Sequence, residues 1–141
     1  MPRSKNATRP YRRAIPFALT AVLLAQVAEA ADTSNCSNPI SQSEMTRCAY
    51  LDFKSADKTL NTTYRRAISA MKDMDRDLPG HLKGAEQALR VAQRAWVDFR
   101  DKACASYRFI ARGGSMEPML AAMCLADLTR KRTKALKEFS E

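Results

Sequence analysis

The residues able to do chemistry in this 141-residue chain are few, and four of them are cysteines: Cys36, Cys48, Cys104 and Cys124. An even count with no C-x-x-C spacing speaks for two disulfides in an oxidising compartment, and against both a dithiol redox centre and a simple zinc site. His81 is the only histidine, so triad and most metal chemistry lack their usual base or ligand. Asp73, Asp75 and Asp77 alternate near a turn. A Ca²⁺ site would need further oxygen ligands that the sequence does not place, so the trio is read as solvated carboxylates. No nucleophile with a base and no phosphate loop is present. The expectation is therefore a non-enzyme with no cofactor and no metal.

The elements that hold these residues begin after a leader. Residues 1 to 30 have a basic start (Arg3, Lys5, Arg9, Arg12, Arg13), an apolar stretch from Ala14 to Val27, and Ala28-Glu29-Ala30 as a small-x-small cleavage site. The apolar stretch falls short of the ~20 residues of a permanent span. Cleavage after Ala30 is expected, with residues 31–141 as one exported domain, periplasmic or secreted, without a membrane span. The whole chain carries 24 Lys and Arg against 15 Asp and Glu. The leader takes five of the basic and one of the acidic residues, which leaves 19 against 14 and a net charge of about +5. This excess is spread along the chain without a clustered basic face, so no nucleic-acid partner is expected.

In the exported part, Ser41-Gln42-Ser43-Glu44 is a capping box. Apolar or small residues then recur every three or four positions from Met45 to Leu78, and Leu78-Pro79-Gly80 ends the run. A second stripe runs through Leu82, Ala85, Leu89, Ala92, Trp96, Phe99, Ala103, Tyr107 and Ile110 to Gly113-Gly114. A third begins after Ser115, taken as its cap, with Pro118 in the first turn, and runs from Met119 to Phe139. The fold class predicted is all-α, an antiparallel three-helix bundle with two disulfides, and the helices span about 42–78, 81–112 and 116–139.

Short connections put residues equidistant from a turn at one level of the bundle. Reversal between residues 78 and 79 sets Asp57 level with Arg100, Asn61 with Trp96 and Tyr64 with Gln93. Reversal at residue 114 sets Cys104 level with Cys124, which predicts a disulfide there. Cys48 lies about five residues, or ~7.5 Å, off the level of Cys104, too far for the ~5.5 Å between bridged α-carbons. Cys36 with Cys48 remains. Asp57 and Arg100 are read as a partly buried ion pair whose hydrogen bonds Asn61 and Gln93 complete, since a buried charge needs partners. Trp96 and Phe99 are read as core.

The segments Gln42-Ser43-Glu44-Met45-Thr46-Arg47-Cys48, Asp57-Lys58-Thr59-Leu60-Asn61-Thr62-Thr63-Tyr64, Gln93-Arg94-Ala95-Trp96-Val97-Asp98-Phe99-Arg100-Asp101-Lys102-Ala103-Cys104 and Cys124-Leu125-Ala126-Asp127-Leu128-Thr129-Arg130-Lys131-Arg132-Thr133 closely resemble the lysozyme-inhibitor LprI N-terminal-like family of bacterial exported proteins. The resemblance spans nearly all of residues 31–141 and implies a small exported binding protein that blocks lysozyme-type glycan hydrolases. Its expected partner is lysozyme or another exported protein, and the oligomeric state stays open. The turns Leu78-Pro79-Gly80-His81 and Arg112-Gly113-Gly114-Ser115 are the candidate contact points: Leu78, Gly80, His81, Arg112, Gly114 and Ser115. The alternative is an envelope adaptor that binds a protein or an acidic polymer through the basic stripe Arg130, Lys131, Arg132, Lys134 and Lys137.

Overall fold

The computed structural model describes residues 36–140. The leader, its cleavage site and Glu141 lie outside the described residues. Helix α1 spans Gln42–Arg76, α2 spans Ala85–Tyr107 and α3 spans Glu117–Lys137. Single 3-10 turns occupy Gly80–Leu82 and Arg108–Ala111.

Local chemistry sets each boundary. The capping box forms: Ser41 Oγ accepts the Glu44 amide at 3.2 Å, and Glu44 Oε2 accepts those of Ser41 at 3.0 Å and Ile40 at 2.8 Å. The second helix begins at Ala85 rather than at residue 81, because Pro79 opens a 3-10 turn and Gly84 takes φ +142°. Gly84 has no side chain to cap with, and Asp75 from the end of α1 supplies the acceptor instead. Its carboxylate takes the amides of Gly84, Ala85 and Glu86 at 2.9, 3.0 and 3.0 Å. Asp75 is thus a cap between elements, not the idle carboxylate expected from its sequence context.

Those three amides hold the Asp75 carboxyl below its ordinary range, the Gly84 bond contributing most. A carboxyl whose folded-state pKa is depressed stabilises the fold above its unfolded pKa, and that contribution is lost as pH falls through the lowered folded value. Asp75→Asn is therefore expected to lower the melting temperature at neutral pH and to flatten its fall in acid. An unchanged acid slope between pH 5 and 2 would refute this account of the cap.

Asp77 rather than residue 78 closes α1, and α2 ends at Tyr107, with Arg108–Ala111 narrowing to 3-10 before Gly113 at φ +77°. Ser115 does not cap α3. Met116 holds the N-cap position without a side-chain bond, and Pro118 lies in the first turn. At its far end α3 stops at Lys137, two residues before the expected 139.

Contacts fix the topology. Asp57 meets Arg100 and Lys72 meets Glu86, so α1 and α2 run antiparallel, and Cys104 meets Cys124 while Gln93 meets Arg132, so α2 and α3 do too. Gln42 reaches Met119 and Asp52 reaches Arg130, a constant offset that makes α1 and α3 parallel. These parallel helices share the most extensive interface, and α2 leans on the pair. The interface is lined by Ala56, Thr63 and Ala67 of α1 and by Ala122, Ala126, Thr129 and Thr133 of α3, all buried. Small side chains let the two backbones approach closely. Thr63 and Thr133 return their hydroxyls to the carbonyls four residues earlier, at 3.1 and 2.8 Å, so burial leaves them satisfied. One half of the bundle is apolar, with Leu60, Ile68, Met71, Leu89 and Leu136 packed together and Tyr64 and Trp96 against them.

The buried face of α2 differs from the predicted stripe. Leu89, Gln93, Arg100 and Cys104 point inward. Phe99, Tyr107 and Ile110 stand exposed, so Phe99 is not core, and Trp96 is half-buried. The helix is turned by about one residue, ~100°, from the orientation its apolar residues alone suggest.

Candidate functional site

Both disulfides have the pairing the level argument predicts. Cys36–Cys48 and Cys104–Cys124 each span 5.5 Å between α-carbons. The first ties the lead-in to α1, and the second joins α2 to α3 with Cys104 almost fully buried.

The predicted polar network comes together around Arg100, whose side chain is only 9% exposed. Its Nη1 donates to Asp57 Oδ1 at 3.3 Å and to Thr129 Oγ1 at 3.4 Å, and its Nε donates to Asp101 Oδ1 at 2.9 Å. The guanidinium also lies over the rings of Phe53 and Trp96, 5.4 and 5.2 Å from their centroids. Asn61 completes the cluster by donating to Asp57 Oδ2 at 2.9 Å. Gln93 does not serve Asp57. It accepts from Arg132 Nε at 2.9 Å, and Arg132 lies 6.0 Å from the Trp96 centroid. Burial lowers the pKa of Arg132 from the ordinary arginine value. No buried side-chain nitrogen or oxygen among the described residues lacks a partner. The Asp57 and Asp101 side chains are 37% and 56% exposed, so the network ties α1, α2 and α3 together at the edge of the core and keeps two carboxylates in contact with solvent.

The two candidate turns occupy opposite ends of α2, whose 23 residues separate them by ~35 Å, so they form two surfaces. In the first, Leu78 is half-buried while Gly80 and His81 are exposed, and Lys83 Nζ donates to the Arg76 carbonyl at 3.3 Å. The second is built around Glu117. Its Oε2 accepts the Gly113 amide at 2.9 Å, and its Oε1 lies 3.3 Å from Arg108 Nε and 3.7 Å from Arg112 Nη1. Arg112 is exposed and stacks over Phe109, 4.4 Å from the ring centroid. The Gly114 amide donates to the Ala111 carbonyl at 2.9 Å, and Ser115 is exposed. Phe109, Ile110 and Met116 flank this turn with exposed apolar surface. The sequence reading missed that surface because it assigned Ile110 to the core.

The basic stripe on α3 is largely engaged. Arg130 Nη1 donates to both carboxylate oxygens of Asp52 at 2.9 and 3.0 Å, Lys131 lies 2.8 Å from Asp127, and Arg132 is held by Gln93 and Trp96. Lys134 and Lys137 remain, beside a groove of ≈ 290 Å³ between α1 and α3. Among the described residues no group of three His, Cys, Asp or Glu could hold a metal ion, and no helix is long and apolar enough to cross a membrane.

Together these features define a class: a small all-α domain tied by two disulfides, with a polar network around a buried arginine and an exposed, internally braced turn. The model of the family described as Lysozyme inhibitor LprI matches residues 33–136, and the chain belongs to that family. The uncharacterized protein R02472 of Rhizobium meliloti (strain 1021) is 48% identical over 110 residues, which cover 76% of this chain and 79% of the relative. A crystal structure of a DUF1311 family protein from Pseudomonas putida KT2440 shares the fold. Its TM-score is 0.60 at 20% identity, over 74% of this chain and 98% of that one.

Proposed function

We propose that this protein is an exported inhibitor of a lysozyme-type glycan hydrolase, periplasmic or secreted after loss of residues 1–30, and that it presents the Arg112–Ser115 turn to the enzyme's cleft. Membership of the LprI family supports the class. The observation that carries the turn is Arg112, a guanidinium stacked on Phe109 in a loop braced by Glu117. A lysozyme cleft works through two carboxylates. Arg108 and Arg112 share one carboxylate, so the tip keeps a net positive charge, complementary to such a cleft. A braced turn also has little left to order on binding, which favours affinity. The domain acts by occupying the cleft and performs no catalysis.

The overall excess of basic residues opposes approach to a basic lysozyme. Screening over ~8 Å at physiological salt confines that opposition to long range, and an acidic hydrolase is the better match. The adaptor alternative is less favoured, since three of the five stripe cations are already committed within the bundle.

Titration of the oxidised protein into lysozymes of several structural types is expected to give stoichiometric inhibition of at least one. Arg112→Ala should weaken it at least tenfold, about 1.4 kcal/mol or more, with helicity and melting unchanged because Glu117 keeps Arg108 and Gly113. Loss of inhibition only where folding is also lost would reject the turn. Absence of inhibition across the panel would reject the inhibitor reading.

A further inference from the structure

The outward stripe of α2 and the facing side of α3 enclose an open groove of ≈ 670 Å³, and Phe99, Ala103, Tyr107, Ile110, Leu120 and Met123 supply its apolar wall. We propose that this groove is the contact face of a homodimer, occupied by the same face of a second copy. The inference does not depend on the inhibitor reading.

Three observations carry it. The first is pattern. Phe99, Ala103 and Ile110 continue a three- or four-residue spacing that belongs to a buried helical seam, yet α2 buries Gln93, Arg100 and Cys104 and turns the seam out. Two such α2–α3 hairpins, apposed about a twofold axis, make a four-helix arrangement in which each seam finds an equivalent seam.

The second is area. Phe99 is 59% exposed, Tyr107 46%, Ile110 72% and Met123 51%. At roughly 200 Å² for a large side chain, these four expose about 450 Å² together. That equals the largest apolar patch on an ordinary monomer, the kind of surface that often serves a contact. With a polar rim of ordinary proportion it approaches the ~800 Å² per partner of a standard stable interface.

The third is charge. Asp127 of α3 lines the groove and pairs with Lys131, and Asp98 next to Phe99 on α2 pairs with Lys102, each at 2.8 Å. The antiparallel register places Lys102 near the level of Asp127 and Asp98 near that of Lys131. This rim is neutral on a chain that is otherwise net basic, so a second copy meets no repulsion there. An acidic polymer gains nothing at the same place. Cys124 lines the groove, and its bridge to Cys104 ties the two helices that form the walls.

The test is the mass of the oxidised protein by sedimentation over about 1 to 100 µM, with Phe99→Glu and Met123→Lys as interface variants and Val91→Glu as a control on another face of α2. The expected result is a dimer that either interface variant weakens at least tenfold, with helicity retained, and that Val91→Glu leaves intact. Both substituted residues are already exposed, so the two variants guard against a folding failure in either one. A monomer throughout the range would overturn the proposal. So would a dimer that ignores both interface variants, or a monomer whose complex with lysozyme is lost in Phe99→Glu. The last outcome would assign the groove to the enzyme.

Discussion

Replacing Cys104 and Cys124 together by alanine is expected to lower stability by about 3 kcal/mol, a fall of roughly 10–20 °C in melting temperature. The bridge closes a segment of sequence separation 20, and chain-entropy estimates give ~3 kcal/mol for a loop of that order. Its position makes the loss felt. Helix α2 touches α1 and α3 less extensively than they touch each other, so the covalent tie supplies much of what keeps α2 in place. Cys104 is also almost fully buried, and truncation leaves a small void beside Arg100. The Cys36–Cys48 bridge closes a shorter segment, of separation 12, and anchors an exposed lead-in. Loop length alone makes only a few tenths of a kcal/mol of difference, but the lead-in can fray without opening the bundle, so its double alanine variant should lose less than half as much. Thermal melts of both variants with the oxidised parent measure the difference. Equal losses, or a fall below about 3 °C for the Cys104/Cys124 pair, would contradict this ranking.

Both bridges were legible in the sequence because turn signals are local. Pro79-Gly80 and Gly113-Gly114 fix where the chain reverses, and α-helical rise then sets which residues share a level. The Ser41–Glu44 capping box gave the start of α1 for the same reason. The face of α2 was not legible. Periodicity marks the stripe through Phe99, Ala103 and Ile110 as the side to bury, whereas the core takes Gln93 and Arg100. Apolar spacing shows that a surface seeks cover without saying whether its own core or another molecule provides it. The α3 contribution escaped too, because Ala122, Ala126, Thr129 and Thr133 are small or hydroxylic and weigh little in a hydrophobic pattern. The role of Asp75 depends on the end of α1 meeting the start of α2, which no window within one helix contains. The Arg112 turn was visible as an exposed glycine pair, but its bracing by Glu117 and its stacking on Phe109 needed coordinates.

Arg100→Ala is expected to cost about 3 kcal/mol, through packing and desolvated polar contacts rather than through a lost surface ion pair. The guanidinium packs from α2 against the α1–α3 pair, bonded to Asp57 and Thr129 and close to the rings of Phe53 and Trp96. Truncation leaves a void where the buried side chain packed and removes a partner from Thr129, whose residue is fully buried. Asp57 and Asp101 limit the cost. Their side chains are 37% and 56% exposed, so both carboxylates rehydrate instead of remaining as buried orphan charges. Arg100→Met should then lose about half as much as alanine, since a long flexible thioether refills the gap against both rings. Urea denaturation orders the two variants, and Trp96, the single tryptophan, gives a local readout because its ring faces the Arg100 guanidinium. A methionine variant as unstable as alanine would show that charge, not volume, holds α2 in its observed rotation. A loss below about 1 kcal/mol for alanine would mean that the disulfide and Leu89 hold the helix without this contact, and that the outward setting of Phe99 has another cause.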